Sequence, residues 1–355
     1  MPTKRILQIV QHLQPGGIET MALDLMERAG PDRDVQILSL EGRKDAAIEG
    51  WPRLAKNAER LHFLAKRPGL DQTAVFRLVA ILKKQSIDVV HTHHIGPLIY
   101  GGIAARLAGL RVVHTEHDAW HLSGARRSKV QSLINKVVKP VFVADANLVA
   151  LAVKSAIPTI DPIVIHNGVD AEKFAPGDKQ AARRRLGLPA DRKIIGCAAR
   201  LEPVKGHSVL LKALSLMPND VDLVLAGDGS LYQELRAMAA ALDIAPRVHF
   251  LGRVDDMVTF HQAQDVFCLA SEKEGLPLSP LEAQAAGCPV VLTDVGGCGE
   301  AVCPDTGYLV PAGSPGRLAR KLSIALAETD DADPRPFVLN HRNLKATIAA
   351  YEALH

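Results

Sequence analysis

The chain has 355 residues, of which 47% are hydrophobic and 23% charged, and its formal net charge is only +3. That length exceeds one ordinary core, so we expect two globular domains of roughly 150 to 200 residues. So small a charge, without aromatic residues among basic ones, argues against nucleic acid as a partner. No apolar run could span a bilayer, and the first residues, MPTKRILQIVQHL, lack the long apolar core and cleavage site of a signal peptide, so we expect a cytoplasmic protein. Five cysteines without C-x-x-C spacing indicate neither a disulfide framework nor a zinc knuckle.

Short β-rich runs alternate with helical patterns in both halves of the chain. In the first half, strands are predicted at RILQIVQHL, DVQILSL, DVVHTHH and RVVHTEHD, and helices at 19–29, 71–85 and 97–109. In the second half, strands are predicted at KIIGCAAR, DLVLAGDG, VHFLG, VFCLA and PVVLTD, and helices at 207–217, 230–242, 256–263 and 280–287. This alternation is typical of parallel βαβ units, so the fold class is α/β with two Rossmann-like domains. The joint is predicted near the Asn-Gly turn of IHNGVD, residues 165–170.

The loops that follow the predicted strands carry the chemically unusual residues. Ligands of open α/β sheets bind beyond the carboxyl ends of the strands, so these loops are where a site is expected. They are QPGGIE (14–19), HTEHD (114–118), RLEPVKG (200–206), AGDGS (226–230) and EGLPLSPLE (274–282).

The loop EGLPLSPLE admits two interpretations. Ser279, Pro280 and Glu282 fit a helix start in which Ser279 is the N-cap and Glu282 closes a capping box. That box does not explain Glu274, which lies outside the helix beside the conformationally free Gly275. The alternative is that both glutamates face a ligand.

The loop RLEPVKG places Arg200 at a strand end and Lys205 at the mouth of the next helix. A helix N-terminus already favours anions, and two added cations would suit a diphosphate. The alternative is a pair of solvated charges beside a turn.

Taken together, R-x4-K (Arg200, Lys205) followed by E-x7-E (Glu274, Glu282) resembles the retaining GT-B glycosyltransferases of family 4. The motifs PGGIE, VVHTEHD, HNGVD and LAGDG follow the family's order over nearly the whole chain. The resemblance implies two Rossmann-like domains that face each other across an interdomain cleft, with a C-terminal helix that crosses back. The domains would be 1–166 plus 337–355, on the acceptor side, and 167–336, which would bind the nucleotide sugar.

The resemblance also implies roles for residues in the donor-binding domain. Arg200 and Lys205 would neutralise the donor diphosphate as charge grows on the leaving group. Glu274 would hold a donor-sugar hydroxyl, and Glu282 would bind the ribose hydroxyls. The loop contacts would come from the backbone of Gly275, Leu276 and Leu278, and the base would lie between Arg253 and Val254.

In the first domain, the resemblance places Gly16 and Gly17 against phosphate and acceptor, and His117 against the donor sugar as a catalytic residue. A purely structural histidine is the alternative, since the same strand ends carry His91, His93, His94, His114 and His121. Such a cluster could hold a metal, but no metal-binding spacing is recognised in it. The D-x-D triplets that other transferases use as metal clamps, at 32–34, 220–222 and 331–333, fall in peripheral turns. No metal and no cofactor beyond the sugar nucleotide are therefore expected.

The implied activity is retaining, metal-independent transfer of a hexose or N-acetylhexosamine from a UDP-sugar, or less favourably a GDP-sugar. The acceptor would be a saccharide or lipid-linked saccharide of surface polysaccharide or lipopolysaccharide synthesis. Two alternatives stay open: a sugar-nucleotide 2-epimerase, which shares the architecture, and a non-catalytic partner subunit. The sequence motifs favour neither of them, because both glutamates and both cations are present.

The acceptor side is weakly encoded in the sequence. Residues 124–140 are rich in Arg and Lys beside an apolar stripe of Val130, Leu133, Ile134 and Val137. Such a helix can lie on an anionic membrane, here the inner face of the cytoplasmic membrane. It can equally pack on its own domain.

Overall fold

The computed structural model describes residues 3–329 and 333–355, which form two compact units. Unit 1 extends to His166 and resumes at Thr347, whereas unit 2 comprises Asn167–Ala346. Each unit contains one parallel sheet, which confirms the predicted α/β class with two Rossmann-like domains. The predicted joint at residue 166 coincides with the division, but the chain returns to unit 1 ten residues later than the predicted 337. The reason is that the helix beginning at Arg335 packs against a helix of unit 2.

Unit 1 is built on a seven-stranded sheet with strand order β3-β2-β1-β4-β5-β6-β7. Its central strands β1, β4 and β5 are almost wholly buried, because helices cover both faces of a parallel sheet. All strands are parallel. The chain adds β2 and β3 on one side of β1 and adds β4 to β7 on the other side, so the topological switch point lies between β1 and β4. The strands are β1 Lys4–Val10, β2 Arg33–Ser39, β3 Leu61–Phe63, β4 Val89–His93, β5 Arg111–Glu116, β6 Val141–Ala144 and β7 Ile163–Val164.

The helices of unit 1 follow the predicted pattern where the apolar periodicity is strong. The predicted helix 97–109 corresponds to the helical segment Ile95 to Leu107, in which a π-helical turn at Leu98–Gly102 separates two short α-helices. The helices are α1 Gly17–Glu27, α2 Lys44–Gly50, α3 Gln72–Lys84, α4 Ile95–Pro97, α5 Ile103–Leu107, α6 Ala125–Val138 and α7 Asn147–Ala156, with 3-10 turns at Pro52–Arg60 and Trp120–Ser123.

Unit 2 is built on a six-stranded sheet with order β10-β9-β8-β11-β12-β13, and its switch point lies between β8 and β11. The strands are β8 Lys193–Ala198, β9 Val221–Ala226, β10 Val248–Gly252, β11 Val266–Leu269, β12 Val290–Thr293 and β13 Tyr308–Val310. The helices are α8 Lys179–Leu186, α9 His207–Ser215, α10 Tyr232–Ala241, α11 Met257–Ala263, α12 Ser279–Ala285, α13 Pro315–Ala327 and α14 Arg335–His341, with 3-10 turns at Pro203–Lys205, Ala245–Arg247 and Gly296–Ala301.

The last helix, α15 (Leu344–Leu354), carries the chain back to unit 1, as the sequence predicted for the C-terminal segment. Its Tyr351 is fully buried in unit 1, and the Thr115 hydroxyl at the end of β5 donates a hydrogen bond to the Tyr351 hydroxyl. Among the helices of the described residues, none has both the length and the apolar content needed to cross a membrane. All five cysteines are free and buried.

Candidate functional site

In unit 2, the loops that follow β8 and β11 meet at the switch point of the sheet. Lys205 Nζ donates to Glu274 Oε1 at 2.6 Å, and Ser271 Oγ donates to the same oxygen at 2.6 Å. Only 8% of the Glu274 side chain and 20% of the Lys205 side chain are exposed. The structure therefore joins one residue of the R-x4-K motif to one of the E-x7-E motif.

Two glycines allow these loops to approach each other so closely. Gly206, with φ of +66°, immediately precedes α9, and a Cβ there would lie 1.9 Å from the carbonyl oxygen of Ala270. Gly296, with φ of +52°, follows β12, and a Cβ there would lie 1.8 Å from the carbonyl oxygen of Glu274. Any side chain at either position would push the Glu274 loop away.

Arg200 is exposed on the loop that follows β8. The AGDGS loop after β9 is hydrogen-bonded to this loop. Leu201 N donates to the Asp228 carbonyl at 2.9 Å, and the Ser230 hydroxyl donates to Glu202 at 2.8 Å. These bonds fix the two residues that follow Arg200, which is itself exposed just beyond the carboxyl end of β8.

The loop segment 275–278 is anchored through its carbonyl groups. The Gly275 carbonyl accepts from Gly297 N at 2.9 Å, and the Leu276 carbonyl accepts from Asn167 Nδ2 at 3.1 Å. Within the described part of the chain, no backbone carbonyl accepts from the N–H groups of Gly275, Leu276 or Leu278. These N–H groups are the ones that the sequence assigned to donor contacts.

The start of α12 differs from the predicted capping box. Leu278 is the N-cap, with helical φ and ψ of −80° and −40°, and no side chain caps the helix, so the predicted role of Ser279 is wrong. Glu282 instead accepts from His261 Nε2 at 3.3 Å. Gln264 Nε2 lies 2.9 Å from His261 Nδ1 and, as an amide N–H, must donate to it, so the second ring nitrogen carries the proton toward Glu282. His261 was not predicted as a site residue.

Arg253 and Val254 follow β10, the edge strand of the sheet. Arg253 is exposed and Val254 is half-buried. Strand β9 separates β10 from β8, so these residues share the carboxyl edge of the sheet without belonging to the Lys205–Glu274 contact.

In unit 1, His117 follows β5 and is buried, with partners on both ring nitrogens. His117 Nδ1 lies 3.2 Å from Asp145 Oδ2, and His117 Nε2 lies 3.1 Å from His93 Nδ1. Burial, followed by the charge of His94, lowers the pKa of His117 to about 3, so the imidazole is neutral. A ligand hydroxyl that bonded to this ring would have to share or replace one of these partners.

Gly16 and Gly17 form the start of α1, at the carboxyl end of β1. Gly16 is the extended N-cap, and a Cβ there would lie 2.4 Å from Glu19 Oε2. Glu19 is 6% exposed, and burial raises its pKa although His12, His117 and His94 lie near enough to oppose the shift. This first loop therefore faces the His117 region, and Glu19 is a second residue that the sequence analysis missed.

Beside His117, two histidines, two carboxylates and one amide form a closed ring of hydrogen bonds and ion pairs. Glu116 and Asp118 each contact His94 at 3.2 Å. Burial lowers the pKa of His94, but the hydrogen bond to Glu116 and the charges of Glu116 and Asp118 outweigh it, so the pKa is raised. The hydrogen bond to Asp118 and the charge of Glu116 likewise outweigh burial and raise the pKa of His121 to about 9. Gln131 closes the ring, because its Nε2 donates to Glu116 and its Oε1 accepts from His121.

The remaining histidines of the cluster are buried and neutral. Burial, followed by neighbouring imidazoles, lowers the pKa of His91 well below its usual value, and burial also lowers that of His114. Within residues 3–329 and 333–355, no group of three or more His, Cys, Asp or Glu is placed to hold a metal ion. The triplet at 220–222 begins β9, where Asp222 is paired with Arg192 and His249, and most of the triplet 331–333 lies outside the described residues.

The two parallel-sheet units have the architecture of GT-B proteins. Residues 15–173 match the family described as Glycosyltransferase Family 4, and residues 178–336 match the family described as Glycosyl transferases group 1. EpsF of Bacillus subtilis, named as a glycosyltransferase, is 31% identical over 312 residues, covering 82% of this chain and 79% of that protein. The chain therefore belongs to this family of glycosyltransferases, and it is an enzyme of the transferase class.

Two further comparisons concern proteins whose printed names include a nucleotide sugar. The UDP-Gal:alpha-D-GlcNAc-diphosphoundecaprenol alpha-1,3-galactosyltransferase of Escherichia coli is 34% identical over 247 residues, covering 64% of this chain and 63% of that protein. The crystal structure of HepE of Anabaena with UDP-glucose superimposes with a TM-score of 0.85 over 98% of this chain and 99% of that chain, at 22% identity. The second likeness supports the fold.

Proposed function

We propose that the protein is a retaining, metal-independent glycosyltransferase that moves a hexose or N-acetylhexosamine from a UDP-sugar, with a GDP-sugar as the less favoured donor. Its acceptor is a saccharide or lipid-linked saccharide of surface polysaccharide or lipopolysaccharide synthesis. The observation that carries this proposal is the Lys205–Glu274 contact of 2.6 Å at the switch point of unit 2, beside the exposed Arg200. No cofactor besides the donor substrate is proposed.

The donor diphosphate would replace Glu274 as the partner of Lys205. Lys205 lies two residues before α9, and the N–H groups at the N-terminus of this helix also favour an anion. Together with the exposed Arg200, it would stabilise the negative charge that grows on the leaving diphosphate as the glycosidic bond breaks. Once released from Lys205, the Glu274 carboxylate could accept a hydrogen bond from a donor-sugar hydroxyl while Ser271 still donates to it.

The nucleoside would be held by the segment that begins α12. The backbone N–H groups of Gly275, Leu276 and Leu278 would donate hydrogen bonds to the sugar nucleotide, while the carbonyl contacts of the loop hold it in position. Glu282 would accept from the ribose hydroxyls, with its orientation fixed by His261. In unit 1, His117 remains the predicted contact of the donor sugar.

Retention of the anomeric configuration would follow from front-face attack, in which the leaving phosphate takes the acceptor proton. Glu274 would be poorly suited as a nucleophile or base, because in the donor complex the Ser271 hydroxyl and a donor-sugar hydroxyl would both donate to its carboxylate. The test is transfer from a panel of UDP- and GDP-sugars in excess EDTA, with the product anomer read by NMR. An inverted product, or transfer that needs added metal, would contradict the proposal.

A lipid-linked acceptor agrees with the surface of α6 in unit 1. Val130, Leu133 and Val137 lie on one helix face and are 45%, 62% and 48% exposed, and the helix sequence contains no acidic residue. Ile134, which the sequence grouped with this stripe, instead packs against the core. An exposed apolar stripe beside exposed Arg and Lys side chains fits an anionic membrane surface.

Sedimentation with vesicles tests this membrane contact. We expect binding to vesicles that contain anionic lipid, weaker binding to zwitterionic vesicles, and a loss in Leu133→Glu. Leu107→Glu is the matched control, because Leu107 is also 62% exposed in unit 1 but lies on α5. Equal binding by both variants would contradict a role for α6.

A further inference from the structure

Two polar side chains, Gln11 and Glu41, lie together at the carboxyl edge of the sheet in unit 1. Gln11 directly follows β1, which borders the switch point, and Glu41 lies two residues beyond β2. Gln11 Nε2 donates to Glu41 Oε1 at 2.5 Å, and Glu41 N donates to the Gln11 carbonyl at 2.9 Å. Ligands of open α/β sheets bind at this position, and the residue roles proposed above leave this pair without a function.

Lys66, in the loop after β3, is the third member of this cluster. Its Nζ donates to the carbonyl groups of Arg67 and Gly69 at 2.7 and 2.9 Å and lies 3.5 Å from Glu41 Oε1. Only 4% of the Lys66 side chain is exposed, against 41% of the Glu41 side chain. The buried ammonium balances the charge of Glu41 from the protein side, so no cation of a ligand is needed there.

Gln11 and Glu41 each keep one oxygen for a ligand. A carboxylate only accepts hydrogen bonds, so the amide nitrogen of Gln11 must face Glu41, and the amide oxygen faces away from it. On the described portion of the chain, Gln11 Oε1 and Glu41 Oε2 have no hydrogen-bond partner. Neither atom belongs to the buried polar atoms that lack a partner, so solvent reaches both oxygens.

Gly96, in the loop that follows β4, keeps the Gln11 oxygen accessible. A Cβ at this position would lie 2.2 Å from Gln11 Oε1, so any larger residue would cover the oxygen or displace the amide. The loops after β1, β2, β3 and β4 therefore all contribute to the cluster, and they lie on both sides of the switch point.

The free atoms of the cluster define the chemistry of its ligand. Both are oxygens that only accept, so the ligand must supply hydrogen-bond donors, and the Lys66 ammonium already balances the carboxylate, so these donors are neutral. Sugar hydroxyl groups meet both conditions. We propose that Gln11 and Glu41 bind hydroxyl groups of the acceptor saccharide and that Lys66 is a positioning residue that holds Glu41. This proposal deepens the proposed function and rests on it for the identity of the acceptor.

Glu41→Gln separates acceptor binding from a merely structural role. This variant keeps an acceptor oxygen toward Gln11 and Lys66 but exchanges the free oxygen for an NH2 group, which can only donate. We expect the KM for the acceptor to rise at least about tenfold, because a hydroxyl then faces a second donor. The KM for the donor and the rate of donor hydrolysis without acceptor should change by less than about twofold, and the Tm should stay the same.

Binding can also be measured without turnover. The probes are the methyl glycosides of glucose, galactose, mannose and N-acetylglucosamine, titrated into the complete protein with UDP present and followed by NMR. For the glycoside that binds most tightly, monodeoxy analogues identify the hydroxyl that Glu41 contacts. We expect that removal of this hydroxyl and Glu41→Gln each weaken binding at least about tenfold, and that the two changes together weaken it no further.

The matched control is Glu59→Gln, the same exchange at an exposed carboxylate in the turn that precedes β3, at the opposite edge of the sheet. Unchanged acceptor binding in Glu41→Gln, an equal loss in Glu59→Gln, or a wild-type protein that binds none of the glycosides would overturn the proposal.

Two further outcomes are distinguishable. If Glu41→Gln does not fold, Gln11→Met removes the other free oxygen, and the same loss of glycoside binding is expected from it; unchanged binding would overturn the proposal. If the wild-type protein consumes no nucleotide sugar, the proposed function fails, whereas the NMR titrations still decide whether Gln11 and Glu41 bind sugar hydroxyl groups.

Discussion

Replacement of Lys205 by Met would break a largely buried ion pair and leave its partner carboxylate in place. Removing one member of a fully buried pair costs roughly 3 to 5 kcal/mol. The Lys205 side chain is 20% exposed and Ser271 still donates to Glu274, so we expect a smaller loss of about 2 kcal/mol. For a unit of this size, that loss corresponds to a fall in Tm of roughly 4 to 8 °C.

The assay is thermal unfolding combined with UDP titration, applied to Lys205→Met, Glu274→Gln and the double variant. Glu274→Gln keeps an acceptor for Ser271 and frees the ammonium of Lys205, so we expect little loss of stability and tighter UDP binding. The double variant should be more stable than Lys205→Met, because no buried charge is left unpaired. An unchanged Tm in Lys205→Met, or strictly additive effects, would refute this reasoning.

Three further predictions concern stability. Gly296→Ala should lower the free energy of unfolding by at least about 2 kcal/mol, whereas Gly313→Ala, at φ of +67° with open space around it, should cost about 1 kcal/mol, as measured by urea unfolding. Burial lowers the pKa of His207 and His355 to about 4. Each should therefore contribute about 3 kcal/mol to the free energy of unfolding, a contribution that is fully present above pH 6.5 and is lost as the pH falls toward 4. The measurement is unfolding of His207→Gln and His355→Gln as a function of pH. The pKa of His121 is raised to about 9. His121 should therefore contribute about 2 kcal/mol to the free energy of unfolding, a contribution that is present below pH 6.5 and is lost as the pH rises toward 9. In His121→Gln, the free energy of unfolding should change less between pH 6.5 and 9 than it does in the wild-type protein.

The sequence predicted most central strands and the helices between them because their patterns are strong. Mainly apolar runs such as RILQIV and DLVLA are typical of strands buried on both faces, and the predicted helices show clear periodicity. Helices α2, α7, α8, α13 and α14 escaped prediction, and so did four short strands: β7 has two residues, β3 and β13 have three each, and β6 has four. Their pairing depends on neighbouring strands rather than on their own composition.

The site was predicted where a motif lies within one loop and missed where contacts act through space. Arg200, Lys205 and Glu274 were placed on the correct strand-end loops, and two of them are in direct contact. The capping box at Ser279 failed because Leu278 already adopts helical angles. The partner of Glu282, His261, comes from a different helix and no sequence spacing indicates it.

One signal in the sequence could have revealed part of the network in unit 1. Gln8 interrupts the apolar run of β1 at a fully buried position, and a buried amide must have partners. Its partner His93 is the last residue of β4, and Asp145, which contacts His117, directly follows β6, so only the parallel order β1-β4-β5-β6 brings these residues together.

The central claim is that the loops of unit 2 bind a nucleoside diphosphate through cations and backbone N–H groups without a metal. The most direct measurement is calorimetric titration of the protein with UDP and with GDP, in excess EDTA, alongside Arg200→Ala and Lys205→Ala. We predict that UDP binds to the wild-type protein and that either substitution weakens this binding by at least about tenfold. Absence of binding by both nucleotides, or binding that neither substitution changes, would contradict the account.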